Sequence, residues 1–294
     1  MTLPDIDPVL LHIGPVAIRW YALAYIAGIA LGWGYMRRLI NKTTLWGPQG
    51  APLDDRRLED MVLWLALGVI LGGRIGYILF YDLSAVMADP LRAFRVWEGG
   101  MAFHGGFLGV VIAALLYARA QKLNPWSLGD LLACAAPIGL CLGRLANFVN
   151  GELWGRPTHL PWGIIFCNSH TPVDTSGQCY AGYLPRHPSQ LYEAALEGLL
   201  LFAVLFVLTH IYKKLRQPGL LMGVFIAGYG LSRILVENVR NPDAQMTHFQ
   251  VITMGMILST PMVIAGGLFI WLALSGKTQS GKTRSRTPTQ DEAA

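Results

Sequence analysis

Charge is scarce in this chain. Charged residues make up 14% of its 294 residues and hydrophobic ones 53%, whereas an average soluble domain carries roughly 25% charged residues. Charge this sparse over this length excludes an ordinary soluble domain and points to a polytopic membrane protein. Cysteine is scarce as well. The four cysteines form no CxxC pair, which removes zinc-binding and thioredoxin-like motifs. The sequence holds no HExxH, no GxSxG and no cluster of Cys and His ligands. No metal and no cofactor is therefore expected, and serine-hydrolase chemistry lacks support. No pair of aspartates sits in the centres of the apolar stretches, which counts against an aspartyl intramembrane protease. The first eighteen residues hold Asp5 and Asp7 but neither Lys nor Arg. That is the reverse of a signal peptide's basic start, so no cleaved signal is expected.

What the chain has in quantity is apolar sequence. A membrane helix needs about 20 mostly apolar residues. Seven stretches qualify, at roughly 17–39, 60–81, 101–119, 127–148, 189–212, 219–238 and 249–274. Fourteen Lys and Arg fall on the 1–2, 3–4 and 5–6 connections and the tail, against six on the opposite side. The positive-inside rule then places the N-terminus outside and the C-terminus inside. The formal charge of +5 is thereby explained by topology and anionic lipid contact, not by a nucleic-acid partner. The expectation is an all-α integral membrane protein with seven transmembrane helices. Residues 1–275 form one membrane domain with a small outer cap at about 149–188, and 276–294 form a disordered cytoplasmic tail. Small-xxx-small pairs (Gly28/Gly32, Gly72/Gly76, Gly105/Gly109, Gly139/Gly143, Gly219/Gly223) read as helix-packing positions.

The polar residues inside these stretches gather at one depth. Arg144 and Asn147 share a face near the outer end of helix 4, and Tyr229, Arg233 and Glu237 do so on helix 6. His104 sits at the outer mouth of helix 3, Tyr21 at the same depth on helix 1, and Arg74 in the outer half of helix 2. Each has a plain reading by itself. Arg233–Glu237 is an intrahelical ion pair, His104 an interfacial histidine, Tyr21 an aromatic-belt residue and Arg74 a structural brace. Asp130, at the inner end, reads as a helix N-terminal residue. Independent anchors would scatter over both leaflets, whereas these concentrate at the outer one. Two arginines with Asn and Tyr donors at headgroup depth make an anion site, and an anionic lipid headgroup is the ligand at hand. A histidine and two glutamates nearby supply groups that move protons.

At this point the residues carry a resemblance. "GRLANFVNGELWGR" (143–156) resembles the signature of the bacterial prolipoprotein diacylglyceryl transferases, Gly-Arg-x-x-Asn-Phe-x-Asn-x-Glu-x-x-Gly. "GPVAIRWYALAY" (14–25), "WEGGMAFHGG" (97–106), "LPRHPSQLYEA" (184–194) and "GYGLSRILVENVRNPDAQ" (228–245) are similar to further stretches of that family, in its order. Residues 157–183 and the tail match least. The resemblance implies transfer of the diacylglyceryl group of phosphatidylglycerol onto the lipobox cysteine thiol of a preprolipoprotein. A thioether forms and glycerol 1-phosphate leaves, on the outer side of the bacterial inner membrane.

Roles follow as expectations. Arg144 and Arg233 hold the lipid phosphate and stabilise the leaving group. His104 is the first choice of base for the thiol. Glu237 orients Arg233, and Glu152 either orients Arg144 or is the alternative base. Tyr21, Asn147, Asn150 and Tyr229 bind headgroup or signal peptide, and Gly155 permits a tight turn after helix 4. In "RHPSQLYE", Pro188 and Ser189 read first as a helix start, with His187 and Glu193 lining the site as the second reading. Cys167 and Cys179 lie in the outer cap, where a bridge is expected, whereas Cys134 and Cys141 read as packing residues. The competing class is a transporter or channel for an organic anion, which predicts polar groups leading inward.

Overall fold

The computed structural model describes residues 1–279 except 15, 49, 172 and 242–252. The chain opens with a short antiparallel hairpin, β1 (Val9–Ile13) and β2 (Val16–Arg19), which hydropathy did not signal. Seven long helices follow among the described residues: α1 (Trp20–Asn41), α2 (Asp55–Ala88), α3 (Phe103–Ala120), α4 (Pro125–Val149), α5 (Ser189–His210), α6 (Leu220–Glu237) and α7 (Met254–Leu274). Their bounds fall within a few residues of the expected ones, save that α2 begins at Asp55 and runs on to Ala88. Asp54 caps its start by accepting the Arg57 N–H at 2.8 Å. Two helices contain wide π-helical turns, α2 at Ile78–Asp82 and α5 at Ala194–Leu200.

Six of the seven, α2 to α7, are long and apolar enough to cross a membrane. α1 is long enough, but Trp20, Tyr21, Tyr25, Trp33 and Tyr35, with Gly28, Gly32 and Gly34, dilute its hydropathy. It packs along α4, where a Cβ on Gly28 would come within 3.1 Å of the Gly139 Cα. α2 and α3 are in backbone contact through Gly68, Gly72 and Gly76 against Gly105 and Gly109. Close backbone approach of this kind substitutes for the hydrophobic drive that lipid removes. Gly219 does not pack a helix. It has φ +88° and turns the chain into α6. Asp130 of α4 caps that start from across the bundle, accepting the Gly219 and Met222 N–H groups at 2.7 Å each. Asp130 thus serves the terminus of a neighbouring helix rather than its own.

The two ends of the bundle differ. One end is filled by apolar side chains, among them Leu39, Leu58, Met61, Tyr117, Leu131 and Leu221, all buried. The opposite end carries Arg144 of α4, Glu193 and Glu197 of α5, and Arg233 and Glu237 of α6. Over it lies a small cap of turns and isolated bridges, built on buried Leu3, Ile164, Phe166 and Ala181. Gly276–Gln279 continue past α7 as turns. Thr278 is buried there, its hydroxyl donating to the Pro218 carbonyl at 2.6 Å. The rest of the expected tail, from 280, lies outside the described residues, as do positions 249–252 of the expected seventh span and 242–245 of the last motif.

Candidate active site

α5 supplies what joins the site together. Glu193 is 1% exposed and binds two helices at once. Its carboxylate contacts Arg144 of α4 at 3.1 Å, Arg233 of α6 at 2.6 Å and Arg240, just past α6, at 3.6 Å. Glu197, one turn on and fully buried, takes a second contact from Arg144 at 3.2 Å. Glu237 pairs with Arg233 within α6 at 3.2 Å. Three arginines therefore face three glutamates. A buried charge in lipid is costly unless paired, and the matched set explains how five ionisable side chains fit into three apolar helices. Tyr229 lies within electrostatic range of Arg144, Arg233, Glu193 and Glu197.

A second group stands where α4 ends. Glu152 accepts the Asn147 amide at 2.9 Å and the Asn150 amide at 3.2 Å. Its carboxylate is exposed and held by neutral donors. Among the described residues Glu152 makes no pair with Arg144, whose guanidinium faces Glu193 and Glu197. The first half of the Glu152 expectation is thus corrected. Gln190 donates to the Glu152 carbonyl, and the Ser189 hydroxyl to the Leu153 carbonyl at 2.8 Å. Both side chains are fully buried. Ser189 therefore anchors the α4 exit instead of capping its own helix. Tyr21 bonds Tyr25 at 3.0 Å between hydroxyls, within electrostatic range of Glu152 and Arg144.

Gly155 has a role other than the expected turn. The turn is made by Gly151 at φ +65° and Leu153 at φ +58°. Gly155 lies where strands of chain meet: its N–H donates to the His187 carbonyl at 2.9 Å, and a Cβ there would lie 2.5 Å from the Val239 carbonyl oxygen. No side chain fits. The contact ties the α4 exit to the starts and ends of α5 and α6, next to Arg240. His187 itself hydrogen-bonds the Tyr192 hydroxyl at 3.3 Å, and burial lowers its pKa, favouring the neutral ring.

The structure does not bring His104 to this cluster by any hydrogen bond or ion pair among the described residues. It is exposed at the start of α3, against the ring of Phe103. Depth along a helix says nothing about direction around the bundle, which is why the sequence grouped it with the others. Arg74 is buried and donates to the carbonyls of Ala93, Gly99 and Gly100 at 2.8–3.2 Å, and to that of Arg92. It fastens the 89–101 loop to α2, in keeping with a structural brace. Cys167 and Cys179 are bonded to each other, Cα atoms 5.8 Å apart. Cys134 is buried and Cys141 half-buried. No group of His, Cys, Asp and Glu that would hold a metal occurs among the described residues.

Sequence reasoning missed Glu197 and underrated Glu193 and Gln190. The signal was present: two glutamates four apart in an otherwise apolar helix share a face, and each is an intramembrane charge needing a partner.

Known proteins sharpen this picture. The family model described as prolipoprotein diacylglyceryl transferase matches residues 8–272. The chain is similar to the phosphatidylglycerol–prolipoprotein diacylglyceryl transferase of Caulobacter vibrioides, 52% identical over 288 residues, covering 93% of this chain and 95% of that one. It is 49% identical to the protein of that name from Phenylobacterium zucineum, covering 95% and 96%, and 49% to that from Agrobacterium fabrum, covering 95% of each. With a match that spans every long helix and both halves of the site, the chain belongs to the prolipoprotein diacylglyceryl transferase family and is a transferase.

Proposed function

We propose that this chain moves the diacylglyceryl group of phosphatidylglycerol onto the lipobox cysteine thiol of a preprolipoprotein, the first step of lipoprotein maturation. The observation that carries the reading is Glu193, which draws Arg144, Arg233 and Arg240 together at the end of the bundle where Glu152 is held. The lipid phosphate docks on the outer faces of Arg144 and Arg233. Their carboxylate partners hold the guanidinium forks in place before the substrate arrives, so little reorganisation accompanies the reaction. As sulfur bonds to the glycerol carbon, the carbon–oxygen bond breaks and its electron pair passes to the phosphate oxygen. The arginines stabilise that growing charge more than the ground state. Glycerol 1-phosphate leaves.

The thiol, with an ordinary pKa of about 8.5, must lose its proton. His104 and Glu152 are the two candidates for that base. The Asn147 and Asn150 amides keep the Glu152 carboxylate aimed, while His104 is exposed at the start of α3. Tyr21 and Tyr229 border the headgroup site. The chain crosses the bacterial inner membrane seven times, α1 included, with its N-terminus and cap outside and its active site at the outer leaflet. The cap's disulfide fits an oxidising compartment. The opposite end is packed with Leu39, Met61 and Leu131, which favours catalysis on an outer-leaflet lipid over anion transport.

The test supplies purified protein with phosphatidylglycerol and a lipobox peptide. The peptide is expected to gain a diacylglyceryl mass, and to lose that gain when its cysteine is changed to serine. No gain with competent lipid would refute the reading.

A further inference from the structure

α7 begins against the carboxylate of Glu237. A Cβ on Gly255, in the first turn of α7, would lie 2.5 Å from the Glu237 Cδ and 2.8 Å from Oε1, and nearer still to Oε2. Glu237 is 5% exposed and is paired with Arg233. No side chain fits at 255 while Glu237 keeps that place. Further along, a Cβ on Gly223 would lie 2.9 Å from the Gly266 carbonyl oxygen, and one on Gly230 3.0 Å from that of Ser259, so α6 and α7 are in backbone contact. The first turn of α7 is also a favourable neighbour for a carboxylate, since helix N-termini carry partial positive charge. The Thr253 hydroxyl accepts the Met256 N–H at 3.3 Å, fixing where that turn starts.

We propose that Gly255 is a positioning residue for the transfer reaction: the side chain it lacks is the space that seats the Glu237 carboxylate on Arg233. The inference rests on the reading of Arg233 as a phosphate-holding residue. Gly255→Ala puts a methyl group where the carboxylate now lies. The group that yields is the end of a flexible side chain, and alanine favours a helix over glycine, so the fold survives and Glu237 is displaced. Arg233 then keeps Glu193 but loses its second partner, and its fork is no longer fixed for the phosphate.

A double-mutant cycle on the full-length protein, with phosphatidylglycerol and a lipobox peptide, tests this. Gly255→Ala and Glu237→Gln are each expected to lower kcat about tenfold, with the KM for peptide unchanged. The double variant is expected to be no slower than Glu237→Gln alone, because both changes remove one interaction. Gly267→Ala, on the same helix with open space around its Cβ, is expected to keep native turnover. Losses that multiply in the double variant would overturn the proposal, since Gly255 would then act by a route other than Glu237. Native turnover in Gly255→Ala beside an impaired Glu237→Gln would overturn it and leave the Arg233 reading intact. Native turnover in Glu237→Gln itself would also overturn it, since the seat of that carboxylate would then not matter, while Arg233 would still be held by Glu193.

Discussion

Arg74 and Arg144 are both sunk into this bundle, and they are satisfied in opposite ways. Arg74 spends its guanidinium on four backbone carbonyls of one loop. Arg144 faces two carboxylates, Glu193 and Glu197. Carbonyls of a folded loop are fixed, neutral partners, and they make Arg74 a bracket between α2 and the 89–101 segment. Carboxylates are charged partners carried on side chains. They offset the guanidinium charge in lipid and hold the fork in one orientation, while its remaining donors stay available to an incoming anion. The same residue type thus fastens a loop in one place and presents a charge in the other. The identity of the partner, not the burial of the arginine, separates the roles.

The sharpest way to break this contrast is at Arg144. Lysine there keeps the charge but loses the planar fork, and cannot serve Glu193, Glu197 and a phosphate together. Arg144→Lys is expected to lower turnover by about 100-fold or more, in the range found when one transition-state donor is removed. The measurement is initial rate of peptide lipidation, with retained α-helical circular dichroism as the folding check. Wild-type turnover would mean that a point charge suffices and that bidentate holding is wrong.

The base comes next. Glu152→Gln keeps the shape of the side chain held by Asn147 and Asn150 but removes its basicity. His104→Gln does the same for the imidazole. General-base loss costs about 100-fold or more in rate, so one of the two variants is expected to fall that far and the other by less than about tenfold. A thiol-to-lipid assay across pH separates them. If both retain near-native turnover, neither takes the proton.

At Arg74 the expected effect moves from rate to stability. Arg74→Gln leaves carbonyls of the 89–101 loop without their donor, a loss of about 3 kcal/mol for a buried charged donor. Thermal unfolding in detergent is expected to shift downward while kcat at 25 °C stays within about twofold of native. A drop in kcat as large as that of Arg144→Lys would erase the distinction between the two arginines.

The sequence was most legible where hydropathy speaks. Long apolar runs marked the long helices to within a few residues, α2 excepted, because lipid forces backbone hydrogen bonds to close within each segment. Arg144, Asn147, Arg233 and Glu237 were legible too, since an intramembrane charge needs a reason. What stayed hidden was direction around the bundle. Position in the chain grouped His104 with the others by depth, yet it lies on α3, whose glycines commit that helix to α2. Glu193 was hidden behind a plausible helix start at Pro188 and Ser189, although Ser189 bonds Leu153 instead. Gly155 was recognised as a necessary glycine for the wrong reason. A tight turn and a close backbone approach both demand glycine, and only the three-dimensional neighbours, His187 and Val239, tell them apart.

The cap gives the smallest expected effect on rate and a last way to sharpen the contrast. Its disulfide joins Cys167, next to buried Phe166, to Cys179, two positions before buried Ala181, with eleven residues between the two cysteines in the chain. Closing a loop of that length contributes about 2–3 kcal/mol by restricting the unfolded chain. None of the arginine–carboxylate contacts runs through it; they are made by α4, α5, the end of α6 and Arg240. Paired Cys167→Ser and Cys179→Ser substitutions are therefore expected to make the cap more sensitive to limited proteolysis while lipidation stays within about twofold of native. Reduction of the native protein by dithiothreitol should act in the same direction. A loss of turnover beyond tenfold would show that the cap holds Glu152 and the α4 exit in register. The active site would then extend from the three helices into the cap.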